Sequence, residues 1–150
     1  EGVGEPKLVD AAGHLDDDAP SRVEDRPNQL TLLFLDPHTR DLYVDWAEEA
    51  ARAVASLRYV AAQFADDRRL AGLVGELSVK SPEFACLWAG HDVRLCTSGT
   101  KRLRHPTVGI LELGFEVLHL PEGNGQRVLT HTAAPGSASS AALRLLVSTA

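Results

Sequence analysis

Two cysteines, Cys86 and Cys96, bracket His91 within eleven residues, the first grouping in which to look for a metal. Zinc ligands come at short, recurring spacings, and Cys-x9-Cys around one histidine matches none of them. His91 and Asp92 set an imidazole beside a carboxylate, but adjacent residues on a helix do not face each other. No Gly-flanked serine elbow, paired catalytic carboxylates or phosphate loop completes a set, and Gly123-x-Gly125 lies in a hairpin turn. The chain is expected to be no enzyme, with no catalytic residue, metal or cofactor.

Lys101, Arg102, Arg104 and His105, with Arg94 upstream, make the one basic cluster. On a strand Arg102 and Arg104 share one face, while Lys101, Leu103 and His105 share the other. The cluster is either a solvated sheet face partly answered by Glu112 and Glu116 or an anchor for a carboxylate or phosphate. His131 is expected on the Glu116 face, where pairing would raise its basicity. Phe34, Tyr43, Trp46, Phe64, Phe84, Trp88 and Phe115 fall on apolar faces. They are either core or the lining of an apolar cavity under the helices.

The elements that must position these residues follow from periodicity. The run Leu30 to Leu35, closed by Asp36-Pro37, is a short strand or a helical turn. Leu42, Trp46, Ala50, Val54, Leu57, Ala61 and Phe64 draw one helical stripe from Asp41 to Phe64, with Glu48 and Arg52 paired on its wet side. Asp66-Asp67 can cap a second helix carrying Leu70, Val74 and Leu77. Ser81-Pro82-Glu83 opens a third with Phe84, Leu87 and Trp88 on its stripe.

After Ser98-Gly99 the period changes from 3.6 to 2. Strands are predicted over Thr100–Arg104, Leu111–Val117 and Arg127–Ala133, the last two joined by an Asn-Gly turn. Folding the first hairpin about Thr107 sets Arg102 opposite Glu112 and Leu103 opposite Leu111. Ser137 or Ser139 starts a last helix. Helices, an antiparallel meander and a helix make an α+β domain.

The 150 residues, 44% apolar and 24% charged, suit one domain. No apolar run approaches the roughly 18 residues of a membrane span. Two cysteines read as reduced thiols in a cytoplasmic setting. The absence of methionine, with Glu at position 1, reads as a piece of a longer product. Residues 1–26 carry eight acids and three bases of a chain with net charge −6. They are expected to be a mobile acidic arm, with an edge strand around Lys7 to Val9 as the competing reading, ahead of a domain over 27–150. A nearly neutral body and an acidic arm argue against direct nucleic-acid binding.

Leu33-Phe34-Leu35-Asp36-Pro37, Leu42-Tyr43, Asp45-Trp46, Gly75-Glu76-Leu77-Ser78, Ser81-Pro82-Glu83-Phe84 and Leu87-Trp88-Ala89 stand in one order along the chain. His91-Asp92-Val93, Gly99, Lys101 to Pro106, Val108-Gly109, Gly125-Gln126-Arg127 and Pro135-Gly136-Ser137 continue it. Across Gln29 to Leu146 this pattern resembles the ligand-binding domain of MmyB-like transcription regulators.

The resemblance implies a PAS-like fold behind an Xre-type helix-turn-helix, mostly in actinobacterial regulators, and a fatty acid in the pocket of one member. The helix-turn-helix is absent from these 150 residues, and residues 1–26 do not match the two strands that open the family's domain. One sheet edge is therefore expected to be completed by the arm or by a second chain in a homodimer. The expected function is a sensory domain for an apolar small molecule such as a fatty acid, lined by Phe34, Tyr43, Trp46, Leu57, Trp88 and Phe115, with Arg102 or Arg104 as head-group anchor. A PAS-like interaction module without a ligand is the alternative.

Overall fold

The computed structural model describes residues 27–90, 97–120 and 127–149. The acidic arm, His91, Cys96 and the Asn124-Gly125 turn lie outside the described residues. Asn28 accepts the Leu30 amide at 2.9 Å and opens α1 (Gln29–Leu35), so the Leu-rich run is helical. Pro37 holds Asp36 extended and stops it. The Asp36 carboxylate then caps α2 (Pro37–Leu42), accepting from the His38 and Thr39 amides at 3.1 Å each.

The single helix expected from Asp41 to Phe64 is broken. Tyr43 is extended, forms a bridge to Leu103, and the Val44 amide donates to Arg102 O at 3.0 Å. An aromatic followed by a β-branched residue suits pleated backbone. The break lets Leu42 and Tyr43 pack on the sheet. The long helix, α3, therefore spans Trp46–Gln63. Asp67 caps α4 (Arg68–Lys80), and buried Ser81 caps α5 (Pro82–Ala89) by accepting the Phe84 amide at 3.1 Å.

β1 (Ser98–His105), β2 (Gly109–His119) and β3 (Arg127–Thr132) form an open antiparallel sheet in that order. Arg102 pairs with Glu112 and Leu103 with Leu111, the register read from the sequence. α6 (Ala138–Thr149) follows Gly136, whose φ of 76° is one that side chains disfavour. Ser139 Oγ accepts the Glu112 amide at 2.9 Å and ties the start of α6 to β2.

Leu33, Phe34, Ala50, Val54, Leu57, Leu77 and Phe84 make the helical core. Leu103, Leu111 and Leu113, covered by Ala142 and Leu143 of α6, make a second core on the sheet. Helices thus cover one face of the sheet, and Arg102, Arg104, Glu112 and Glu116 are exposed on the other. The described residues hold six helices and a three-stranded sheet, an α+β domain. No helix among them is long and apolar enough to cross a membrane.

Candidate functional site

A cavity of about 320 Å³ lies between α1, α3 and the covered face of the sheet. One face of α3 supplies a wall: Glu49, Arg52, Ala53, Ser56, Leu57 and Val60 recur at three- and four-residue intervals. Leu30 and Leu33 of α1 close the top, and Phe115, Val117 and Leu129 form the apolar floor. Exposed Asn28, Gln29 and Arg127 stand at the rim.

The polar end is built from residues far apart in the chain. Lys101, 8% exposed, forms an ion pair with Glu49, also 8% exposed. Its ammonium lies 4.9 Å from the centre of the Phe115 ring and 5.8 Å from that of Tyr43, within reach of the negative ring faces. Burial first, and the Glu49 charge second, push the Tyr43 hydroxyl up to about 12.

Arg52 is held more loosely. Its guanidinium lies 3.5 Å from Thr100 O, 3.4 Å from Glu48 and 3.6 Å from Glu49. Among the described residues, Arg52 Nε and Glu49 Oε2 are buried with no hydrogen-bond partner. Gly99 makes room for this arrangement, since a Cβ there would stand 2.8 Å from Phe115 Cε1 and 3.2 Å from Arg52 Nη1.

Of the residues expected at a ligand site, Tyr43, Leu57 and Phe115 line the cavity. Phe34, Trp46 and Trp88 instead pack in the helical core, Phe34 and Trp88 against Phe84 and Trp46 against Phe34. Phe34 meets Trp46 and Phe84 edge-on at 5.8 and 5.1 Å, and Trp88 stacks on Phe84 at 5.8 Å. Trp46 Nε1 donates to Leu33 O at 2.9 Å, and Arg58 donates to Trp88 O.

Arg102 and Arg104 are on the outer face of the sheet, away from the cavity. Arg102 grips Asp45 with two hydrogen bonds of 2.7 and 2.5 Å, which hold the Asp45 carboxyl below its usual range. His131 pairs with Phe115, so it shares that strand residue's face and not the Glu116 face expected for it. Its basicity is lowered, by burial first and by Lys101 second. The Glu48–Arg52 pair exists, but Arg52 is turned into the cavity instead of the wet side of α3.

Glu49, Arg52, Lys101 and Arg127 were not singled out as ligand contacts by the sequence. One signal was available: Lys101 alternates with Leu103 on the covered face of β1, a position where lysine needs a partner. Among the described residues no three His, Cys, Asp or Glu side chains gather as metal ligands. A family model described as MmyB-like transcription regulator ligand binding domain matches residues 10–146. No curated protein matches the chain.

Proposed function

The chain belongs to the family of MmyB-like transcription regulator ligand binding domains, and from that premise we propose that it is a sensory domain whose cavity takes an apolar small molecule such as a fatty acid. The observation that carries this reading is the cavity itself, about 320 Å³ in volume, walled by Leu30, Leu33, Leu57, Val60, Phe115 and Leu129. That volume is at the lower end of the range for small-molecule pockets, about 300–1,000 Å³. Burying some eight methylenes at ~0.8 kcal/mol each provides about 6 kcal/mol before association costs, and polar contacts add to it.

Occupancy would reach DNA through an Xre-type helix-turn-helix outside these 150 residues, with the domain working as a PAS-like module in the cytoplasm. The family role is to bind a ligand. The alternative of an interaction module without a ligand predicts side chains filling the space that α3 leaves open above Phe115.

Native mass spectrometry of the purified chain and calorimetric titration with a fatty-acid series test the proposal. Saturable, stoichiometric binding of an acyl ligand is expected. A chain that carries no ligand and binds no acyl compound is not a sensor of this kind.

A further inference from the structure

Resting on the reading of the cavity as a ligand site, we infer that Gly99 is a positioning residue that sets how much the cavity can hold. The backbone does not require glycine there, since among the described residues only Gly109 and Gly136 have a positive φ. Gly99 stands in β1, where a glycine weakens a strand and most side chains fit better. What demands it is the residue opposite. Gly99 pairs directly with Phe115, and directly paired residues share a face of the sheet. A Cβ at position 99 would stand 2.8 Å from Phe115 Cε1 and 3.0 Å from Cζ, well inside the roughly 3.5–4.0 Å at which carbon atoms rest.

The tip of the ring therefore lies over β1, in the place of the missing side chain. Arg52 and Lys101 stand over the ring, 5.3 and 4.9 Å from its centre, where its negative face attracts them. Arg52 Nη1 is also 3.2 Å from the point a Cβ would occupy, so ring, guanidinium and glycine form one close-packed contact. On the β3 side of Phe115 stand Val117, two residues along β2, and its partner Leu129, both walls of the cavity. Phe115 is itself part of that lining and only 4% exposed, so the open space beside its ring is the cavity. A methyl group at position 99 would push the ring off β1 and into that space. Gly99 is no part of the lining and acts through Phe115. The cavity stays open because the ring fills the glycine's vacancy and not the ligand's.

Calorimetric titration of the full chain with 1-octanol, an uncharged probe that reads space apart from the charges of Arg52 and Lys101, tests this together with crystal structures. Gly99→Ala should bind 1-octanol about tenfold more weakly, the scale of overpacking by one methyl group. Its crystal structure should show the Phe115 ring moved into a smaller cavity. Adding Phe115→Leu to Gly99→Ala should return most of the affinity, a rescue that a general packing defect would not give. Undiminished binding by Gly99→Ala, or a ring and cavity unchanged in its structure, overturns the inference. Should Gly99→Ala fail to fold, the double variant decides: folding with 1-octanol bound supports the role of Gly99, and failure to fold or to bind overturns it. An unaltered chain that binds no 1-octanol counts against the ligand reading alone, and the position of the ring in the two crystal structures then decides the inference.

Discussion

The aromatic cluster under α5 and the charged wall of α3 solve opposite problems within one small domain. Phe34 and Trp88 meet Phe84 at 5.1 and 5.8 Å, Trp46 meets Phe34 at 5.8 Å, and Phe84 itself is fully buried. On the other side of Leu33 and Leu57, α3 presents Glu49, Arg52, Ala53 and Ser56 to the sheet, and space remains. Large flat side chains close a core because they reach across the gap between helices. Small and charged ones leave a gap and line it. The tryptophans that attract the eye as ligand contacts are thus the residues that prevent a cavity from forming where they sit.

Substitutions can break this contrast, beginning with the largest effect. Phe84→Ala should destabilise the fold by about 3–5 kcal/mol, because two aromatic neighbours, Phe34 and Trp88, lose a shared partner. Urea titration followed by circular dichroism measures the loss. An equal loss from Phe115→Ala would erase the distinction between packed core and cavity floor.

Lys101→Met should cost about 3 kcal/mol, since Glu49 would keep a buried charge with only the loose Arg52 nearby. The double change Glu49→Leu with Lys101→Met should recover most of that stability, because neither charge is then left alone. Denaturation of the four proteins in the cycle gives the coupling directly.

A smaller effect is expected at high pH. Between pH 10 and about 12 the folded Tyr43 keeps a proton that an unfolded tyrosine has released. The folded state therefore holds more protons in that window, so stability is intact below pH 10 and falls as pH rises through it. Tyr43→Phe should flatten this slope in melting curves recorded across the window.

The smallest effect belongs to Arg102→Ala. The pair with Asp45 is exposed on the outer face of the sheet, where solvent screens it. Neither the melting temperature nor acyl-ligand binding should change measurably. A marked loss of binding would place a ligand contact on the outer face of the sheet, away from the cavity.

Local rules carried the sequence a long way. Asp67 and Ser81-Pro82 mark helix starts because a side chain can satisfy amides only two or three residues ahead, whereas Asp36-Pro37 reads in the sequence only as the end of the Leu-rich run although Asp36 also caps α2. The hairpin register follows from alternation, since a slip by one residue would turn Leu103 and Leu111 to water. These features, with the succession of helices, meander and helix, were determined by the chain alone.

Only the tertiary structure decided the rest. The helix through Asp41 breaks at Tyr43 because β1 offers it a partner some sixty residues away, which no local pattern announces. Glu49 meets Lys101 across 52 residues, and Arg52 turns inward because the sheet leaves it room. A cavity is the volume that remains between elements once each has packed. Its position depends on how several faces fail to meet, and periodicity along a single element carries no record of that.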